Sequence, residues 1–287
     1  MIINYNKYIW EDCISKKDLE EWFNNFKGKV TKPAKEREIA RDLVLNFIYY
    51  NEKEIKYLCR SAYIIFRQRR IRELVSKGTP IDTACSLFDS ELKSKKYRFS
   101  YIGQASESGC YILYIFRQIN ELPLYLFFKD EDEIASDTTS LILVDDFFGT
   151  GKTAIGFWKS SIIQNITRRF HNIKLYYVAL AALKGGVGNV EKNTDFEVIC
   201  PQIFDEEYRV FSNKSFIFPE KKKRESAKQV CKIYGEDLEG KKYALGYKDS
   251  EALIGFHHNI PNNTLSIIWS DKKGWFPLFP RERKIYK

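Results

Sequence analysis

The stretch "LILVDDFFGTGKTA", Leu141 to Ala154, decides the fold. Its first four residues are a short apolar run bounded by turn residues, the signature of a buried strand in a parallel sheet. Two acids follow, Asp145 and Asp146, then two aromatics, then Gly149-Thr150-Gly151-Lys152-Thr153 opening a helix. The ending Gly-Lys-Thr is that of a triphosphate-binding loop. The spacing of such a loop requires its first glycine at position 146, where Asp146 stands. That glycine lets the backbone curl around a triphosphate, and a carboxylate there would repel it. As strand, acids, loop and helix, the segment instead offers a seat for one phosphate, made of the loop's backbone N–H groups and the helix N-terminus. The glycines permit close backbone approach, and Thr150 and Thr153 add hydroxyl donors. Ligands of open α/β sheets bind beyond the carboxyl ends of strands. The two carboxylates there are placed to accept hydrogen bonds from sugar hydroxyls, or to hold a divalent cation through water. A monophosphate seat beside paired hydroxyl acceptors describes a ribose 5-phosphate site.

Around this segment the pattern alternates. "YRFSYIG" (97–103) reads as a strand, "CYILYIFRQIN" (110–120) as a helix, "LPLYLFF" (122–128) as a second strand and "KDEDEIASD" (129–137) as an acidic loop. Beyond it, 153–166 reads as one helix, "KLYYVALAAL" (174–183) as a strand, "KGGVGN" as a turn and "DFEVICP" (195–201) as a strand. Strands alternating with helices predict a parallel α/β sheet. The first ninety-odd residues read as helices; one opens with a Ser15/Asp18 capping pattern followed by Leu19, Trp22, Phe23 and Phe26 at helical spacing. From 203 the chain is irregular, basic and aromatic-rich, with a helix from Ser226 to Tyr234 and a strand at "NTLSIIW" (263–269). The expected organisation is a helical N-terminal region (1–96), an α/β core (97–202) and a C-terminal extension (203–287) that completes the site.

Composition narrows the function classes. Of 287 residues, 44% are hydrophobic and 15% aromatic, enough for a sizeable core. There is no apolar run of transmembrane length and no basic-then-apolar leader pattern at the start, so a cytoplasmic chain with no membrane partner is expected. The six cysteines are scattered without a C-x-x-C pair, which argues against a zinc site and fits reduced thiols. Lys plus Arg is 47 against 38 acids, a formal charge of +9 that suits anionic partners, nucleic acid or an acidic protein among them. The densest basic runs are "RQRRIRE" (67–73) and "KKKRE" (221–225).

The segment 141–153 resembles the phosphoribosyl-pyrophosphate signature of type I phosphoribosyltransferases: four apolar residues, two acids, two variable positions and a Thr/Gly-rich loop ending Gly-x-Thr. The resemblance implies a parallel-sheet phosphoribosyltransferase-like core over roughly 97–202. It also implies that Asp145 and Asp146 contact the ribose hydroxyls, that Gly149, Thr150, Gly151, Lys152 and Thr153 hold the 5-phosphate, and that Mg2+ accompanies the diphosphate of phosphoribosyl pyrophosphate. The family's pyrophosphate loop corresponds to 104–109, where Ser106, Ser108 and Gly109 suit an anion. Glu107 in that loop would face a metal, act as a general acid/base, or lie as an exposed first-turn helix acid. The family's long hood loop is here reduced to an acidic stretch of about eleven residues, 129–139.

The segment 254–281 gathers two histidines, four asparagine or threonine residues, two tryptophans and Arg281. It looks like the tail of a related group of bacterial phosphoribosyltransferase-like proteins, in Pro261-Asn262-Asn263-Thr264-Leu265 and in Trp275 to Arg281. That group tends to sit in prokaryotic defence gene clusters. Asn262 and Asn263 are candidate contacts for a base-like acceptor, since amides read base edges; they are equally suited to a structural wrap. Two functions follow: a phosphoribosyltransferase-like enzyme acting at the anomeric carbon toward a base-like acceptor or water, or a catalytically silent sensor that couples a ribose-phosphate ligand to a protein or nucleic-acid partner.

Overall fold

A computed structural model of the chain describes residues 7, 10, 11, 13–103, 108–129, 134–170 and 172–281. In chain order the elements are α1 (Lys16–Asn24), α2 (Pro33–Leu45), β1 (Ile48–Tyr50), α3 (Glu52–Ser76), α4 (Ile81–Lys93), β2 (Tyr97–Tyr101) and α5 (Ser108–Ile119). There follow β3 (Ser140–Phe148), α6 (Lys152–Trp158), α7 (Ser161–Arg169), β4 (Lys174–Leu183), α8 (Lys184–Asn193), β5 (Phe196–Ile199) and β6 (Gln202–Phe204). The last are α9 (Lys221–Glu239), β7 (Ile254–Phe256) and α10 (Ser266–Trp269). They gather into two compact units: one is the chain up to Glu54 together with the chain from Phe204, the other is Ile55–Ile203. The fold is α/β with a mainly parallel sheet.

The second unit holds that sheet, in the order β2-β3-β4-β5 with β6 on β4. Tyr97 lies opposite Ser140, and Ser140 opposite Lys174, so the strands start level. All nine positions of β3 are buried, as an apolar strand in the middle of a covered parallel sheet must be. On one face Phe66 of α3 meets the rings of Tyr97, Phe99 and Tyr176 edge-on, at 5.7, 6.2 and 5.2 Å. On the other, Leu141, Leu143, Leu175 and Tyr177 pack with Ala154 of α6, Ile163 and Ile166 of α7 and Val190 of α8.

The first unit is built from both ends of the chain. The expected Ser15/Asp18 capping box starts α1, with reciprocal bonds of 2.9 and 3.0 Å. Trp22 of α1 and Trp275 both donate their indole N–H to the Ile267 carbonyl, at 2.8 and 2.9 Å. Phe26 sits edge-on to both Tyr234 of α9 and Trp275. β1 and β7 form a two-stranded parallel sheet. Glu36 is wholly buried in this unit. Its carboxylate accepts the N–H groups of Gly28, Val30 and Thr31 and the hydroxyl of Tyr234 at 2.7 to 3.0 Å.

Four local expectations are corrected. The stretch 122–128 is not a strand: Pro123 leads into a 3-10 turn over Leu124–Leu126, and only a single bridge joins Phe99 to Phe127. The stretch 263–269 ends in the helical turn α10, with Ser266 to Trp269 all buried; a short apolar run without alternation does not distinguish strand from buried helix. The single helix expected over 153–166 is two, because the backbone is extended at Ser160. The expected turn "KGGVGN" is the start of helix α8, for a reason that lies in the site itself.

Candidate functional site

The acids lie within β3, which runs on through them to Phe148 instead of ending at Val144. β2 stops at Tyr101, opposite Val144, whereas β4 continues beside β3 as far as Ala182, opposite Phe148. Where β2 has ended, the first turn of α5 comes up against the sheet. A Cβ on Gly109 would stand 2.7 Å from the Ile102 carbonyl oxygen and 3.5 Å from that of Val144. Ser108, Gly109 and the acids are thus brought together at the carboxyl end of the sheet. Ser106 and Glu107 lie outside the described residues.

Asp145 and Asp146 are both buried, 8% and 5% exposed. Asp145 Oδ1 accepts the Asp146 N–H at 2.9 Å and its Oδ2 accepts the Tyr177 hydroxyl at 2.7 Å; Asp146 Oδ1 accepts the Phe147 N–H at 2.7 Å. Burial first, and the neighbouring Asp146 carboxylate second, push the Asp145 carboxyl well above the usual carboxylate range, against the opposing Tyr177 hydrogen bond. Burial and the Asp145 carboxyl push the Tyr177 hydroxyl up too, so it stays a donor. Two consecutive buried acids resist being ionised together, and a positive charge beside them relieves that repulsion.

The loop after them is clamped by α8. Gly151 has φ of 71°, in the left-handed region, and a Cβ there would lie 2.5 Å from a Val190 methyl. A Cβ on Gly186 would lie 2.4 Å from the Gly149 carbonyl oxygen, and Asn189 Nδ2 donates to the Thr150 carbonyl at 2.8 Å. Close approach to the loop is why Gly186 stands in the first turn of α8 despite its poor helix propensity. The carbonyls of Gly149 and Thr150 therefore face α8. In a trans peptide the N–H points opposite to the carbonyl, so the N–H groups of Thr150 and Gly151 face away from α8. Thr150 is half-buried, and Lys152 and Thr153 are exposed.

Asn262 and Asn263 lie in the other unit. Asn263 Nδ2 donates to Ser250 Oγ at 3.2 Å, and the Asn263 carbonyl accepts the Ser250 hydroxyl at 2.9 Å. The Asn262 carbonyl accepts the Tyr247 N–H at 2.8 Å. Residues that the sequence reading passed over are Tyr177, Gly186 and Asn189. The signals were two tyrosines inside the otherwise aliphatic strand "KLYYVALAAL", whose hydroxyls need partners when buried, and three glycines just past a strand end.

The model of the PRTase-CE family matches residues 19–281, which takes in nearly the whole chain and both units. No curated protein and no solved structure matches. The chain belongs to the PRTase-CE family, a phosphoribosyltransferase-type family.

Proposed function

We propose that the chain binds phosphoribosyl pyrophosphate together with Mg2+ at the carboxyl end of β3, and acts at the anomeric carbon toward a base-like acceptor or water. The observation that carries this reading is the pairing of two buried carboxylates, Asp145 and Asp146, with a glycine loop whose amides at 150 and 151 face away from the helix that clamps it. The amides would hold the 5-phosphate, and the carboxylates the ribose hydroxyls. Tyr177 fixes the Asp145 carboxyl, so its acceptor direction is set before the sugar arrives. Transfer at an anomeric carbon passes through an oxocarbenium-like state, which asks the protein for charge stabilisation and positioning more than for covalent chemistry.

The donor set fits magnesium. The ion keeps several waters and takes one or two carboxylates beside substrate phosphates. Asp145 and Asp146 are the residues that would supply them, and their mutual repulsion in a buried place is what a cation relieves. When bound, the ion neutralises charge on the departing diphosphate.

A second reading has an observation of its own. Both oxygens of Asp145 already accept hydrogen bonds from within the chain, which suits a site that holds a ribose phosphate without turning it over. Calorimetric titration of phosphoribosyl pyrophosphate with Mg2+ tests binding, and D145N/D146N is expected to lose it; unchanged binding in that variant overturns the reading. Pyrophosphate release on adding candidate bases separates enzyme from sensor. A role in prokaryotic defence belongs to the same proposal, and phage challenge of cells carrying the wild type or D145N/D146N tests it.

A further inference from the structure

Most of the positive charge that stands out in the sequence is neutralised inside its own unit. In the run 67–73, Arg67 faces Asp89 at 3.9 Å, Arg69 faces Glu197 at 3.8 Å, and Arg70 is held by Glu73 and, at 3.7 Å, by Glu91. In the run 221–225, Lys221 pairs with Glu225 and Lys223 with Glu38 and Asp42, while Arg224 donates to the carbonyls of Phe218 and Pro219. A third patch, just past the end of α9, differs. Lys241, Lys242 and Lys248 are exposed, and among the described residues none of them forms an ion pair with a carboxylate. Three lysines there stand against one acid, Asp249.

Between these lysines lie Tyr243 and Tyr247, both half-buried, with ring centroids 5.6 Å apart and planes inclined by 33°. The Lys242 ammonium is 4.9 Å from one ring centroid and 5.4 Å from the other, and that of Lys248 is 6.0 Å from Tyr247. The order is Lys-Tyr, a glycine-containing turn, then Tyr-Lys. The backbone beneath is rigidly held. Gly246 has φ of 79° and Lys248 of 55°, both left-handed. The Tyr247 N–H is bonded to the Asn262 carbonyl, and a Cβ on Gly246 would lie 1.9 Å from the Asn263 carbonyl oxygen. Torsions of this kind persist only where the surroundings over-determine them. Rings and ammonium groups are therefore presented on a fixed turn, and little has to be ordered on binding.

We propose that the turn 241–248 is a binding site for single-stranded nucleic acid, with Tyr243 and Tyr247 stacking bases and Lys241, Lys242 and Lys248 meeting phosphates. Every base has a π-face, so aromatic platforms flanked by cations bind single strands without reading sequence. Lysine suits the phosphate role because its charge rides on a flexible stem; Lys242 leaves the ring faces for a phosphate as a base takes its place. A phosphopeptide or an anionic lipid surface would use the lysines but has no use for paired rings. A single strand repeats a flat base and a phosphate at short intervals and uses both.

The test is fluorescence anisotropy of the full chain with a labelled oligothymidylate of roughly twelve nucleotides, within the site sizes such platforms cover, read as a function of salt. Wild type is expected to bind, more weakly as salt rises. Y243L/Y247L is expected to weaken binding at least about tenfold, while Y243F/Y247F, which keeps the ring faces and packing, stays within about twofold. K242Q/K248Q is expected to lower the slope of log affinity against log salt by about 1.4, for two lost phosphate contacts. K221Q/K223Q, at two lysines already paired with acids, is expected to leave affinity within about twofold. Thermal melts within a few degrees of wild type show that the variants fold. The proposal is overturned if the wild type does not bind the oligonucleotide at low salt, or if Y243L/Y247L binds as wild type does. It is also overturned if anionic phospholipid vesicles are bound with the same dependence on the two tyrosines.

Discussion

Glu36 and Asp145 are both carboxylates buried in the body of a unit, and the chain treats them in opposite ways. Glu36 receives three backbone N–H groups and one tyrosine hydroxyl, shared evenly between its oxygens. Burial pushes its carboxyl up, but those four donors outweigh burial and hold it below the usual carboxylate range. Asp145 receives one backbone N–H and one tyrosine hydroxyl, and has a second carboxylate beside it; burial and that neighbour hold it well above the usual range. A carboxylate has about four acceptor positions. Where the chain fills all of them, the acid is a structural pin. Where it fills half and adds another acid, acceptor positions are left over, and the proposed function assigns them to a ligand.

Four variants would break or sharpen this contrast. The largest effect is expected at Glu36: E36A leaves four buried donors without an acceptor and should cost about 3–5 kcal/mol in urea denaturation. Because the folded carboxyl lies below its unfolded value, its stabilisation is present above the unfolded pKa of about 4.3 and disappears as pH falls through the folded value. Melts from pH 6 down to about pH 3 should show wild type losing stability toward that of E36Q. Next, D145N/D146N should lose phosphoribosyl pyrophosphate binding by at least about a hundredfold, a loss of about 2.7 kcal/mol, yet melt no lower than wild type, since a repulsion is removed. A melt lowered as much as that of E36A would erase the contrast. G186A drives a Cβ against the Gly149 carbonyl; it should cost about 1–3 kcal/mol of stability and weaken ligand binding by loosening the loop. The smallest effect is expected at Y177F, which removes one donor from Asp145 and should weaken ligand binding about threefold to tenfold with the fold intact.

Four of the sheet's five strands and the acid–glycine segment were legible in the sequence because both rest on short-range patterns. The apolar run 141–144, the alternation of strand and helix, and the strands at 97–101, 174–183 and 196–199 follow from burial on two faces. What was not legible depends on contacts between distant residues. The helix over Lys184–Asn193 runs against its own glycines, and of these the approach to Gly149 accounts for Gly186. The partner of Asp145 is 32 residues away on the next strand. The union of the first 54 residues with the chain from Phe204 rests on pairs such as Trp22 with Ile267, which no local pattern announces. The Tyr243–Tyr247 pair was not legible because its flanking lysines are spaced around a turn instead of gathered in a run.

The central claim is most directly tested by a crystal structure of the chain soaked with phosphoribosyl pyrophosphate and Mg2+. The account predicts the 5-phosphate on the amides of the 149–153 loop and the ribose hydroxyls within hydrogen-bond distance of Asp145 and Asp146. A ligand bound elsewhere, with that loop empty and Asp145 still engaged only with Tyr177 and the Asp146 N–H, would contradict it.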